Sequence, residues 1–329
     1  MTVFARTLTR LLTAAAVTLG LAAGANAQQY KWNMPTPYAE QHFHTRNAKL
    51  FADEIWQATN GRLDITVHSN GSLFKLSEIK RAVQTGQVPI AEVSLPFYGN
   101  EYSFFEIDVV LFLARTYPEA RKLWNVSRKY VEGRLLSQGI QTLFVAPFPG
   151  MGMISKHPVT KIEDLKGTKF SAWGPVAVRF GEAVGATPTV VQAPELAQAF
   201  LVGIVDNTLA SASTAVATQG WDYAKYFIEL RAAHAKDYFI VNQAAFKALP
   251  QDIQDIVLKA AAIAEKRGWE WSEKEHEDNK VTLRSKGMNV VDPDPVFLAG
   301  LRAIGDKLAV DWAKKAGPDG EAVLKEYRQ

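Results

Sequence analysis

The chain of 329 residues contains no cysteine, which excludes disulfide staples, a thiolate nucleophile and sulfur-ligated metal sites. It also lacks a charge excess: 37 lysines and arginines stand against 34 aspartates and glutamates. That balance provides neither the basic stripe that nucleic acid requires nor a strong field for an anionic surface. Signatures of several enzyme classes are missing too. There is no Gly-x-Ser-x-Gly elbow, no P-loop and no His-Glu-x-x-His. Gly150-x-Gly152 is followed by Met153-Ile154-Ser155, which fails the dinucleotide-binding pattern. Beyond the N-terminal segment, no apolar run is long enough to cross a bilayer.

What is present is an ample core and an export signal. Hydrophobic residues make up 47% of the chain and aromatic residues 11%, which argues against disorder. Arg6 and Arg10 form a basic n-region, Leu11 to Ala23 an apolar h-region and Ala25-Asn26-Ala27 a small-residue cleavage site, together the pattern of a secretory signal peptide over 1–27. A membrane anchor is the competing reading, but the apolar run falls short of the roughly 20 residues that span a bilayer. The expected location is the periplasm. Loss of the two arginines leaves 35 basic against 34 acidic side chains in the mature chain. Its remaining length suffices for two lobes with separate cores.

The first lobe opens with a strand at Tyr30 to Met34 and a helix from about His44 to Thr59, whose apolar face is Phe51, Ala52 and Ile55. Leu63, Ile65 and Val67 alternate as a half-buried strand. A helix from Ser77 to Thr85 ends at Gly86, a strand runs from Val88 to Ser94, and Thr116-x-x-Glu119 with Pro118 is a capping-box start for a helix to about Leu136. Ile140 to Val145 is the next strand. An internal echo points to two lobes built alike: Ala82 to Val88 with Ser94, and Ala199 to Val205 with Ser211, keep one spacing of helix, glycine and strand. From Gln251 to about Ser285 helix formers continue without proline, predicting a helix of about 50 Å, long enough to brace both lobes.

Between Ile162 and Ser211 the order is strand, helix, strand, helix, strand, and ligands of such open α/β sheets sit beyond the carboxyl ends of the strands. Lys169 to Trp173 and Thr208 to Ser211 are two such ends, so Ser171, Trp173 and Ser211 are expected at one crevice. Asp164-Leu165-Lys166-Gly167, Gly185-Ala186-Thr187-Pro188 and the run Ala199 to Asp206 resemble the motifs of the extracytoplasmic solute receptors of TRAP transporters, the DctP type. The resemblance extends over nearly all of the mature chain. It departs at two positions: Ser171 stands where the family usually has a carboxylate-binding arginine, and Asn207 replaces a glycine. It implies a two-lobed α/β periplasmic binding protein with a long helix across both lobes. Residues 28–148 would form lobe I, joined by parts of 237–276 and 305–329; 149–236 would form lobe II, with part of 277–304.

The candidate solute-binding residues are aromatic rings just after strands or at helix starts and hydroxyls at strand ends: Tyr38, Phe43, His44, Ser94, Phe97, Tyr98, Phe148, Ser171, Trp173, Ser211, Thr214 and Trp221. Any one ring could equally belong to the core. Without the arginine, a carboxylate needs another partner, and Arg179, Lys169 or a helix N-terminus are the options. Alternatively a neutral, cationic or zwitterionic solute is held by hydroxyls, with Trp173, Tyr98 and Trp221 cradling an ammonium. His42-x-His44 could supply two zinc ligands, but the neighbourhood lacks a third, so no metal and no cofactor is expected. The sequence therefore predicts a non-enzymatic periplasmic receptor for a small organic acid, an aromatic acid being one option. By the resemblance, it hands its cargo to a TRAP membrane permease. A module feeding a membrane sensor and a periplasmic hydrolase or lyase are the rival readings.

Overall fold

A computed structural model describes residues 29–329, and the predicted signal peptide lies outside the described residues. Strand β1 (Tyr30–Pro35) leads to helix α1 (Phe43–Ala58), which buries Phe51, Ala52 and Ile55, the face that the spacing predicts. Asn60 and Gly61 then turn left-handed and stop the helix. Strand β2 (Leu63–His68) pairs in parallel with β1. Helix α2 (Leu76–Gln84) and strand β3 (Ile90–Ser94) follow. Helix α3 (Tyr117–Ser137) starts on its capping box: the Thr116 hydroxyl accepts from the Glu119 amide at 3.3 Å, and the Glu119 carboxylate accepts from the Thr116 amide at 3.0 Å. Strand β4 (Ile140–Pro147) completes this passage through the first lobe.

The second lobe holds β5 (Met151–Ser155), β6 (Lys169–Ala172), α4 (Pro175–Ala183), β7 (Thr187–Val190), α5 (Leu196–Leu201), β8 (Asn207–Ser211), α6 (Ala212–Ala217) and β9 (Tyr226–Ile228). The chain then returns. Strand β10 (Lys236–Asn242) inserts between β3 and β4, antiparallel to both. Helices α7 (Gln243–Lys247) and α8 (Gln251–Ser285) follow. Strand β11 (Asn289–Val291) closes the edge of the second sheet, and α9 (Pro295–Ala316) and α10 (Pro318–Arg328) form the tail. The second sheet has the order β11-β9-β5-β8-β6-β7, with β6 parallel to both β7 and β8. Gly152 belongs to β5, where a Cβ would meet the Ile228 carbonyl oxygen at 2.6 Å. Close strand packing therefore explains a glycine that a phosphate-binding pattern would also have used.

One uninterrupted helix of 35 residues, α8, braces the molecule. Its first half packs Ile253, Val257, Ala261 and Ala264 into the core of the first lobe, and Leu283 near its end enters the core of the second. Helix α9 crosses as well, with Phe297 and Leu301 in the second lobe and Trp312 and Ala313 in the first. The chain also touches the second core well before residue 149, because Val109 and Leu111 pack among Met153 and Phe170.

The internal echo is a structural one. Gly86 and Gly203 share φ 74°, and their amides bond back to Val83 and Phe200 at 3.1 Å in both cases. Residues Val88 and Val205 bond in turn to Ala82 and Ala199, both at 3.3 Å. The same left-handed stop thus launches β3 in one lobe and β8 in the other, and each strand delivers a serine to its carboxyl end.

Candidate functional site

A cavity of about 350 Å³ opens where those two serines meet. From the first lobe it is lined by Tyr38, Asn70, Lys75, Ser94 and Phe97, and from the second by Ser171, Trp173, Gln192, Thr208, Ser211 and Thr214; Phe148 lies where the chain crosses between them. Lys75 and Glu195 are the charged residues of the lining, and both are exposed, so the interior is walled by rings and hydroxyls. Of the candidates named from sequence, Tyr38, Ser94, Phe97, Phe148, Ser171, Trp173, Ser211 and Thr214 line this space.

Several side chains in the second-lobe wall are held by the backbone around them. The Trp173 indole N–H donates to the Leu209 carbonyl at 3.0 Å, which commits that proton and fixes the ring in the cavity wall. Thr208 Oγ1 donates to the Ser171 carbonyl at 3.1 Å. Ser211 caps α6 by accepting from the Thr214 amide at 3.2 Å, and its oxygen lies 3.0 Å from Ser213 Oγ and 3.1 Å from Thr214 Oγ1. Ser171 Oγ has no protein partner among the described residues, so its hydroxyl is free for a ligand.

The first-lobe wall is backed by buried ionisable groups. Tyr38 Oη stands 3.2 Å from Asp237 Oδ1, and Asp237 Oδ2 stands 3.3 Å from His44 Nδ1. His44 Nε2 lies 3.2 Å from the Ala146 carbonyl oxygen. Glu92, on the strand that ends in Ser94, is fully buried, and among the described residues both its oxygens lack a hydrogen-bond partner. Burial and then the neighbouring Asp237 push the Glu92 pKa well up. Burial likewise raises Asp237 to about 7 against the bonds it accepts, whereas burial and then His42 hold His44 well below its usual range. Alongside, His42 is lowered to about 3, first by burial and then by Arg46.

The fold thus supplies what the His42 neighbourhood lacks. His44, Glu92 and Asp237 bring one nitrogen and two carboxylate oxygens within 4.8 Å of one another, a donor set that a zinc-like ion accepts.

Four sequence candidates stand off the cavity. Phe43 and His44 are buried behind it, with the Phe43 ring tilted against His44 at 3.9 Å and His44 meeting the Phe148 ring at 4.4 Å. The Tyr98 hydroxyl turns inward, donating to the Leu76 carbonyl at 2.6 Å. The Tyr98 ring already faces Lys80 at 5.3 Å, and the Trp221 ring faces Lys286 at 5.5 Å. The proposed three-ring ammonium cradle is therefore wrong, since two of its rings hold the protein's own cations. Neither stand-in for the missing arginine reaches the site. Arg179 pairs with the buried Glu106 at 3.0 Å, and Lys169 donates to the Gly203 carbonyl at 2.8 Å. Asn207 starts β8 without a left-handed backbone, so the glycine of the motif is not required there.

Asn70, Lys75, Gln192 and Thr208 were missed from sequence. Asn70 follows β2 and Gln192 follows β7, so the rule that ligands sit beyond strand ends, applied to every strand, would have found both. Glu92 and Asp237 were missed as well, and their signal was an acidic residue inside an otherwise apolar strand.

The family model for bacterial extracellular solute-binding proteins, family 7 (DctP), matches residues 36–315. The chain is similar in structure to DctP7 of Bordetella pertussis, an extracytoplasmic solute receptor binding pyroglutamic acid. The TM-score is 0.89 at 41% identity, covering 91% of this chain and 99% of that one. DctP6 of the same organism, also binding pyroglutamic acid, matches with the same TM-score and coverage at 37% identity. A marine metagenome TRAP solute-binding protein with co-purified pyroglutamate matches at 34% identity and TM-score 0.89, covering 92% of this chain and 99% of that one.

Proposed function

The chain belongs to the DctP family of bacterial extracellular solute-binding proteins, and from that premise we propose that it captures pyroglutamate, or a closely related five-membered-ring monocarboxylate, between its lobes. The observation that carries this reading is a cavity with rings and hydroxyls where a guanidinium would be, in a chain 34–41% identical to three receptors of that acid. A dicarboxylate or sugar acid demands more charge or more hydrogen bonds than this interior offers. A compact ring with one carboxylate needs one donor cluster, supplied at Ser171 and the amino end of α6, and apolar faces, supplied by Trp173, Phe97 and Phe148.

Binding acts by population shift. A solute that touches both walls gains contacts only when the lobes approach, which favours the closed arrangement. The signal peptide is removed after Ala27, the mature receptor works in the periplasm, and it delivers its solute to a TRAP permease without changing it. Calorimetric titration of the mature protein tests the ligand. Pyroglutamate is expected to bind more tightly than proline, glutamate or succinate, and no binding of pyroglutamate would overturn the reading.

A further inference from the structure

We propose that Tyr38 and Ser171, on opposite walls of the cavity, have opposite hydrogen-bond polarity: Asp237 draws in the Tyr38 proton so that Tyr38 accepts an N–H from the solute, while Ser171 on the second lobe donates to its carboxylate. The inference rests on the cavity being the pyroglutamate site.

The polarity follows from proton counting. A carbonyl oxygen only accepts, so His44 Nε2, 3.2 Å from the Ala146 oxygen, carries a hydrogen and donates it. The other ring nitrogen faces Asp237 Oδ2 at 3.3 Å. Among the described residues no hydrogen bond joins those two atoms, whereas the Tyr38 hydroxyl donates to Asp237 Oδ1 at 3.2 Å. A phenol has a single proton, and once that proton is spent inward the oxygen offers only lone pairs to the cavity. Ser94 sits directly opposite Asp237 in the β3–β10 register, on the same wall. The opposite wall reads the other way. Thr208 Oγ1 and the Trp173 N–H are committed to backbone carbonyls, and the Ser171 hydroxyl keeps its proton for the solute. A ring acid carrying an N–H beside its carboxylate satisfies both walls in one orientation.

Asp237 is accordingly a positioning residue, since it acts through Tyr38. The test compares pyroglutamate with its oxygen isostere, 5-oxotetrahydrofuran-2-carboxylate, in which the N–H is replaced by a ring oxygen. A site built to accept an N–H rejects the analogue that lacks it, so the wild type is expected to bind the lactam at least about tenfold more tightly. Tyr38→Phe should bring that ratio to within about threefold of unity. Asp237→Asn should keep the ratio, because its carbonyl still accepts from Tyr38; Asp237→Leu should lose it. Equal wild-type affinity for the two compounds, or a ratio unchanged in Tyr38→Phe, overturns the inference alone. A wild type that binds neither compound overturns the inference together with the pyroglutamate reading.

Discussion

The two lobes reach the cavity by the same device and support it by different means. In each, a helix ends on a glycine at φ 74°, a strand follows, and a serine stands at the end of that strand. After Ser94 the chain enters a short 3-10 turn over Leu95–Tyr98 that contains Pro96, whereas after Ser211 it enters α6, which Ser211 caps. Behind Ser94 lie Asp237, Glu92 and His44, all without solvent. Behind Ser171 lie Phe170, Ala177 and Phe180, an apolar core in which polarity is fixed by carbonyls. A shared supersecondary unit therefore sets where the hydroxyls are, and the two lobes differ in what stands behind them. The long helix repeats the contrast. It meets the first lobe with alanine, isoleucine and valine in the core and Arg267 on Glu54, and meets the second with Leu283 in the core and with His276 and Lys280 around Glu229.

That polar anchor is where the comparison breaks most severely. Glu229 is nearly buried, 3.0 Å from His276 Nε2, 3.3 Å from Lys280 Nζ and 3.1 Å from Arg231 Nε. Burial alone would raise its pKa, but the His276 hydrogen bond and the surrounding positive charge overcome that and bring it to about 2. Glu229→Ala removes the buried carboxylate shared by His276 and Lys280, leaving the buried Lys280 with the exposed Glu277 alone, and should cost about 3 kcal/mol, or roughly 6 °C in thermal midpoint for a chain of this size. A drop below about 1 °C would mean that the apolar contacts hold the second lobe by themselves. Because the folded pKa lies below the unfolded one, this stabilisation is present above about pH 4.5 and fades as the pH falls toward 2.

Second in size is the Trp173 ring in the cavity wall. Trp173→Ala removes an indole already oriented by its bond to Leu209. It should weaken pyroglutamate binding by about 2 kcal/mol, close to thirtyfold. Phe97→Ala, in the wall whose ring lacks such an anchor, should cost less. Calorimetry on both variants sharpens the contrast, and equal losses would refute it.

Much of this architecture was legible in the chain. The capping box at Thr116, the left-handed stops at Gly86 and Gly203 and the proline-free run of α8 are local codes, and local codes survive into the fold. The strand-end serines were legible for the same reason, since topology alone sends them to the crevice. Phe97 and Tyr98 show where legibility ends. They are neighbours on one short turn, yet one lines the cavity and the other donates to Leu76; nothing within the turn distinguishes them. The support beneath Tyr38 was beyond reach because it is assembled from positions 44, 92 and 237. The last of these arrives only after the chain has crossed to the second lobe and returned.

The cost of that buried support should itself depend on pH. Glu92 keeps its proton in the folded state, with its pKa well above the ordinary 4.5. Below that value the folded and unfolded states are both protonated and the group contributes nothing. Above it the unfolded chain releases the proton first, and wild-type stability declines as the pH rises toward the folded pKa. Glu92→Gln, which cannot titrate, should match the wild type near about pH 4 and gain on it steadily toward about pH 8. Thermal midpoints that stay parallel across that range would show Glu92 to be ionised in the fold.

The smallest expected effect checks the echo. Gly86→Ala and Gly203→Ala each force a Cβ into the left-handed region, at about 1 kcal/mol. The surroundings add little: a Cβ at Gly203 would meet nothing within 4 Å, and one at Gly86 only the Asn242 amide at 3.9 Å. The two losses, read from chemical denaturation, should therefore agree to within about 0.5 kcal/mol. A large gap between them would mean that the two turns look alike but carry different loads, with β3 and β8 launched by unrelated forces.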